Sequence, residues 1–150
     1  PAKGLLKQSI VLRLIKSRYI MTESKFMDKY PIHTLTIQKQ QTNLKSIDEI
    51  LSHFKTKIDK HQIATYISIF DHYSHTQNID GEIDINILNA KNIIFCFGVA
   101  IPTTSILAVR PRSIGVAELK DSYVVEFMEA PNEKLHEVMK VWTKEILNNK

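Results

Sequence analysis

The sequence predicts an α+β domain, with a mainly antiparallel sheet of five to six strands, two amphipathic helices on one face, and room for an extra N-terminal helix. One observation is the order of the periodic segments: strand, helix, four or five strands, helix. The other is the length of 150 residues with 43% hydrophobic content. A chain of this size buries about 70% of the surface that its unfolded form exposes, so one domain needs no disulfides.

Two segments have the apolar periodicity of helices. Ser46 followed by Glu49 is a capping-box pair at the start of a helix that should end near 60–61, and Pro131-Asn132 begins the second helix. The predicted buried stripes are Ile47, Ile50, Leu51, Phe54 and Ile58 in the first helix, and Leu135, Val138, Met139, Trp142 and Ile146 in the second.

Six segments have the patterns of strands, five of them before residue 120. Residues 30–38, "YPIHTLTIQ", alternate like a half-buried strand. Residues 63–70, "IATYISIF", and 92–101, "NIIFCFGVAI", are apolar at nearly every position, which predicts central strands covered on both faces. "SILAVRP" at 105–111 and "SIGVAEL" at 113–119 read as two further strands around Pro111.

Residues 120–122 then form the predicted hairpin turn into a last strand, "YVVEFMEA", at 123–130. Two helices cover only one face of such a sheet, whereas the apolar central strands require cover on both. The N-terminal helix, a second copy of the chain and a small ligand are the three candidates for covering the second face.

The domain boundaries follow from charge. Residues 1–20 carry five basic residues and no acid, so the other 130 residues have a net charge of −1 although the chain totals +4. We therefore divide the chain into a basic amphipathic N-terminal segment, 1–26, and a single α+β domain, 27–150. The N-terminal segment is a packed helix, a membrane-surface anchor, a targeting segment or a non-native extension.

Charge, apolar runs and cysteine content also limit the expected classes of partner and the expected location. Past residue 20 the chain has only two arginines, so nucleic-acid binding is not expected. No apolar run reaches the length of a transmembrane helix. The single cysteine, Cys96, lies in an apolar run and excludes an internal disulfide, which favours a cytoplasmic location.

The stretch "FDHYSHT", residues 70–76, is one candidate for chemistry. If the strand continues, His72 and His75 point to opposite faces, and they are ordinary strand-end residues. If the chain bends into a helix, the same two histidines come together as a divalent-metal pair that Asp71 could orient. A third ligand would have to come from elsewhere, and the candidates are His33, Asp80, Glu82 and Glu118.

The stretch "AVRPRSIGVAE", residues 108–118, is the other candidate. Arg110 and Arg112 flank Pro111 and could present two guanidinium forks to a carboxylate or phosphate. The predicted ligand site consists of Arg110, Arg112, Asp71, Tyr73 and Glu118. The alternative is that the arginines form structural salt bridges with Glu118, Glu126 or Asp71.

Four motifs, "YPIHTLTI", "FDHYSH", "NIIFCFG" and "LAVRPRSIGVAEL", give residues 30–147 a resemblance to a family of small bacterial proteins of unknown function. The resemblance implies a compact domain and no particular activity or cofactor. The residues themselves favour a non-catalytic module that binds a small anionic or apolar ligand or forms a homodimer. The alternatives are a metal-dependent enzyme using His72 and His75, and a structural or protein-interaction module.

Overall fold

The computed structural model describes residues 21–147. This part of the chain contains six strands, three α-helices and two short 3-10 helices. The strands are β1 Thr22–Phe26, β2 Tyr30–Gln38, β3 Ala64–Asp71, β4 Asn89–Phe97, β5 Arg112–Glu118 and β6 Ser122–Met128. The α-helices are α1 Ile47–Lys60, α2 His72–Asn78 and α3 Glu133–Lys144, and the 3-10 helices are Lys39–Gln41 and Thr104–Val109.

The six strands form one antiparallel sheet in the order β1-β2-β6-β5-β4-β3. This architecture confirms the predicted α+β class. The edge strand β1 lies within residues that the sequence analysis placed in the N-terminal segment. The helix expected in residues 1–20 lies outside the described residues. No helix among residues 21–147 is long and apolar enough to cross a membrane.

Helix α1 begins and ends where its capping residues predict. The Ser46 hydroxyl accepts a hydrogen bond from the Glu49 backbone N–H at 3.1 Å, and the His61 N–H donates to the Ile58 carbonyl at 3.1 Å. All five residues of the predicted stripe are buried. The helix therefore packs its apolar face on the sheet as its periodicity indicates.

Helix α3 closes the same core. The Asn132 side chain accepts a hydrogen bond from the Leu135 N–H at 3.2 Å and caps the helix. Trp142 stacks on Phe97 of β4, with ring centroids 5.6 Å apart. His53 Nε2 lies 2.8 Å from the Trp142 carbonyl, which links α1 to α3. The two helices thus cover one face of the sheet together.

The prediction of two central strands is right for β4 and wrong for β3. β4 lies inside the sheet, whereas β3 is an edge strand in which Ile67, Ile69 and Phe70 are 50%, 38% and 40% exposed. A register shift between Tyr66 and Ser68 interrupts the alternation of β3. The continuous apolar run therefore reflects a bulged edge strand and not a strand covered on both faces.

The predicted strand at 105–111 is also wrong. Residues Thr104–Val109 form a 3-10 helix, started by a hydrogen bond from the Ile106 N–H to the Thr103 carbonyl at 3.4 Å. Pro102 and Pro111 bracket this segment, and a proline has no N–H to donate to a neighbouring strand. The apolar residues of this segment consequently lie beside the sheet and not in it.

The second face of the sheet, opposite α1 and α3, is called the open face below. It carries the residues that alternate with the buried ones: Ile32, Thr34, Asn92, Ile94, Ser113, Gly115, Val124, Glu126 and Met128. Among the described residues, the 3-10 helix Thr104–Val109 lines one end of this face. Small and polar side chains occupy much of the remainder.

Replacing Phe54 by alanine tests whether α1 supports the core. Phe54 is 0% exposed, so we expect Phe54→Ala to lower the free energy of unfolding by about 3–5 kcal/mol. Urea unfolding followed by circular dichroism measures the change. Ser52→Ala, at an exposed position of the same helix, is the control and should change stability by less than about 0.5 kcal/mol. Equal effects of the two substitutions would contradict the packing described here.

Candidate functional site

Arg112, the first residue of β5, is held by backbone carbonyls. Its guanidinium donates hydrogen bonds to the carbonyls of Met128 and Val109, the second at 3.5 Å. The side chain is half-buried between the end of β6 and the 3-10 helix. Arg112 therefore ties the loop before β5 to the edge of the open face.

The Arg112 guanidinium has no ion-pair partner in the part of the chain that the structure describes. Its Nε atom is buried and makes no hydrogen bond with the described residues. Burial lowers the pKa of Arg112, because removal from water disfavours the charged form. Arg112 is therefore a half-buried positive charge with one donor that no described residue uses.

Arg112 lines a cavity of about 400 Å³ on the open face. Ile32 and Met128 are among the apolar residues of the lining, and Val109 and Pro111 contribute from the segment before β5. The cavity is therefore a shallow concave site with an apolar lining and a cation beside it.

The polar part of the lining comes from β4, β5 and β6. Asn92 Nδ2 donates to Ser113 Oγ at 3.2 Å, and Glu126 is an exposed lining residue. Gly115 makes room for the Asn92 side chain, since a Cβ at this position would lie 3.1 Å from Asn92 Oδ1. An amide, a hydroxyl and a carboxylate thus share the cavity with Arg112.

Arg110 has a different role from Arg112. Its Nη1 donates to the Ala100 carbonyl at 2.8 Å, and the residue does not line the cavity. The two arginines that flank Pro111 therefore hold different backbone segments. The structure places one of them, Arg112, at the cavity.

The structure does not bring the other predicted ligand-site residues to Arg112. Asp71 pairs with Lys91 of β4, whereas Arg112 pairs with Phe95, four residues or about 13 Å further along that strand. Glu118 lies at the far end of β5 and accepts a hydrogen bond from Lys39 Nζ at 2.6 Å. Neither carboxylate forms the salt bridge with arginine that the alternative interpretation required.

Asp71 instead begins α2, the helical form of the "FDHYSHT" stretch, which also contains Tyr73. Its carboxylate accepts hydrogen bonds from the Ser74 N–H at 2.9 Å and the Ser74 hydroxyl at 3.0 Å, and Lys91 Nζ lies 3.7 Å away. The Ser74 backbone hydrogen bond is the main cause of a lowered pKa for Asp71, and Lys91 contributes to it. Asp71 is thus a helix cap.

His72 and His75 are exposed on α2 and both pack against Phe70, with ring centroids 4.7 and 5.6 Å from the Phe70 ring. They share one side of a short helix, as the helical alternative predicted. Within residues 21–147, the group of three side chains of a metal-ligating type that lie close together is elsewhere, at His33, Glu129 and His136.

The cluster of His33, Glu129 and His136 is called the histidine cluster below. Each residue offers one ligand atom, and these three atoms lie within 4.8 Å of one another. Burial, followed by the neighbouring His33, lowers the pKa of His136. From the sequence, His33 is predicted only as a possible third ligand beside His72 and His75. A signal for His136 existed, since it precedes the buried Met139 by three residues on a predicted helix.

Comparison with known proteins places this fold in a family. The family described as "Family of unknown function (DUF6858)" matches residues 21–148. The chain belongs to the DUF6858 family. No curated protein and no solved structure matches the chain. The DUF6858 match covers all six strands and all three α-helices described above, and it confirms the resemblance to a family of unknown function.

Replacing Asp71 tests its role as the cap of α2 in the DUF6858 domain. We expect Asp71→Ala to lower the free energy of unfolding by about 1 kcal/mol, measured by urea unfolding at pH 7. Asp71→Ser, which keeps a capping oxygen, should lose less than about 0.5 kcal/mol.

The pH dependence gives a second test of the cap. Because the pKa of Asp71 is lowered in the folded state, its charge stabilises the fold above the unfolded value near pH 4. That contribution is lost as the pH falls through the lowered folded pKa. The difference between the native protein and Asp71→Ala should therefore shrink in acid. A difference that grows in acid would contradict the assignment.

Proposed function

We propose that this DUF6858 domain binds a small molecule with one anionic group in the open-face cavity. One observation carries the proposal: the half-buried Arg112 is a lining residue of the cavity, and its buried Nε has no hydrogen-bond partner among the described residues. Burying a charge without a counter-charge is unfavourable, and an anion in hydrogen-bond contact with the guanidinium offsets that cost. The proposed activity is recognition and not catalysis.

The lining indicates what the remainder of the ligand looks like. A carboxylate or phosphate oxygen would accept hydrogen bonds from Arg112, while Ile32 and Met128 contact an apolar body. Asn92 and Ser113 supply an amide and a hydroxyl for a polar substituent. A compact, singly charged organic acid has this combination of groups.

The position of Glu126 further limits the class of ligand that the cavity could bind. Glu126 lines the same cavity as Arg112 and makes no ion pair with a described residue. Its negative charge opposes ligands with several anionic groups and favours those that carry a hydrogen-bond donor on the side away from Arg112. Monocarboxylates with a hydroxyl or amine should accordingly bind better than dicarboxylates.

A second candidate is a homodimer formed through the open face. Met128 on β6 and Phe70 on the edge strand β3 are 47% and 40% exposed on this face. Exposed apolar side chains on an uncovered sheet favour association with a partner surface. In this alternative a second copy of the chain covers the cavity and contacts Met128.

Replacing Arg112 tests the ligand proposal. We expect benzoate and 4-hydroxybenzoate, which join one carboxylate to an apolar ring, to shift the backbone amide signals of residues 113 and 126–128 in ¹⁵N NMR titrations. Arg112→Gln should weaken binding about tenfold or more, because it removes a charge-assisted hydrogen bond. Arg112→Lys should restore only part of the affinity, because lysine lacks the planar fork.

Lys120→Gln is the matched control, since it removes one positive charge from an exposed hairpin turn away from the cavity. This variant should bind like the native protein. Shifts that persist in Arg112→Gln, or disappear equally in Lys120→Gln, would contradict the proposal. Thermal unfolding of both variants establishes that they remain folded.

Native mass spectrometry and light scattering of the full chain test the dimer candidate. If the open face is the interface, the native chain is a dimer and Met128→Lys is a monomer. Met27→Lys, at the exposed turn between β1 and β2, is the control and should remain a dimer. A native chain that is monomeric at high concentration would exclude this candidate and leave the ligand proposal standing.

A further inference from the structure

The histidine cluster joins the sheet to the C-terminal helix on the face opposite the cavity. His33 comes from β2 and is 1% exposed, and His136 comes from α3 and is 7% exposed. Their ring centroids are 4.2 Å apart. Glu129 lies between them in the chain, directly after β6, and its side chain is 50% exposed. Two buried imidazoles and one solvent-accessible carboxylate therefore come together from β2, α3 and the loop after β6.

Two of the imidazole nitrogens are buried without a hydrogen-bond partner among the described residues. They are His33 Nδ1 and His136 Nε2. Buried polar atoms are nearly always satisfied in folded proteins, and an exception indicates a missing partner such as an ion. Both nitrogens belong to side chains that are more than nine-tenths buried. His33 Nδ1 lies on the Glu23 side of its ring, so His136 Nε2 is the unpartnered nitrogen that the cluster could use as a ligand atom.

The carboxylates on either side of His33 favour a cation. Glu129 Oε1 lies 3.5 Å from His33 Nε2, and Glu23 Oε1 lies 3.7 Å from His33 Nδ1. Glu23 is the partner of His33 in the pairing of β1 with β2, so the sheet register fixes this neighbour. A carboxylate next to one nitrogen of a histidine keeps the proton on that nitrogen and leaves the other nitrogen free to bind metal. Glu23 would hold the proton on His33 Nδ1 and leave Nε2 for the ion.

We propose that His33, His136 and Glu129 bind one divalent transition-metal ion of the Zn²⁺ class. Two imidazoles and one carboxylate are a ligand set that suits such ions, and three protein ligands leave a fourth position for water or a substrate. Glu129 is the exposed member, so the fourth position faces solvent on its side. Glu23 is a positioning residue in this arrangement.

Binding requires a local change at His136. The Ala130 N–H donates to His136 Nδ1 at 3.2 Å, which places the imidazole proton on Nε2. Coordination through Nε2 moves that proton to Nδ1 and breaks the hydrogen bond from Ala130. Glu129 and Ala130 are adjacent in the loop between β6 and α3, so the carboxylate ligand and the amide that releases His136 belong to the same short segment.

Cobalt(II) and zinc(II) titrations of the full chain test the site. We expect one Co²⁺ per chain with the visible d–d bands of a tetrahedral site, displaced by one equivalent of Zn²⁺. Glu129→Gln and His136→Gln should each weaken Co²⁺ binding at least about tenfold and change the spectrum. Glu129 is exposed, so its substitution tests the site without disturbing the core.

The control is the double substitution His72→Gln and His75→Gln, which removes the exposed histidine pair of α2. This variant should keep the native spectrum and affinity. Absence of the d–d bands in the native chain would overturn the proposal. So would bands that survive Glu129→Gln and His136→Gln, and bands lost with His72 and His75 would assign the metal to α2 instead.

Discussion

The two-residue alternation of the interior strands is the constraint on which the remainder of this structure depends. In β2, β6, β5 and β4 it sends one set of side chains under α1 and α3, where Leu35, Val125, Ile114 and Phe95 are at most 1% exposed. The antiparallel register pairs Leu35 with Val125, Val125 with Val116, and Ile114 with Ile93, so the buried side chains continue across the four strands. A slip of one residue would move every one of them to the open face, so the register is strongly fixed.

The same alternation determines what remains on the open face. Glycine, serine, asparagine and threonine alternate with the large core residues, so the uncovered side is shallow and partly polar. Arg112 is the first residue of β5 and follows Pro111 directly, so the alternation of this strand begins there. Its guanidinium donates hydrogen bonds to the backbone carbonyls of Val109 and Met128. The position explains why a cation can be half-buried there without an ion pair.

The sequence predicts where helices and strands lie in the chain better than it predicts which of them are adjacent in space. Capping residues and apolar stripes placed α1 and α3 within a residue or two, because those signals are local. Strand order depends on long-range pairing, so the apolar run of β3 was misplaced to the centre of the sheet. Apolar character alone does not tell a buried strand from the 3-10 helix Thr104–Val109, which lies between two prolines.

Site prediction had the same limit. Arg110 and Arg112 are close in sequence, and the structure separates their roles. His33 and His136 are more than 100 residues apart and lie together only because β2 and α3 meet at the end of β6. A single sequence gives no signal for a contact between residues so far apart in the chain. The buried position of His136 on the α3 stripe was the one local signal, and a histidine on an apolar face most often reads as an ordinary core residue.

The end of β6 connects the two proposed sites. The Met128 carbonyl accepts a hydrogen bond from Arg112, and the carboxylate of the next residue, Glu129, lies 3.5 Å from His33 Nε2. The Glu129 N–H donates to the Pro31 carbonyl at 3.0 Å, which anchors this backbone to β2. A ligand that draws the Arg112 guanidinium away from Met128 therefore acts on the same short segment that a metal ion at Glu129 would hold. The two proposed sites thus share the backbone at Met128 and Glu129.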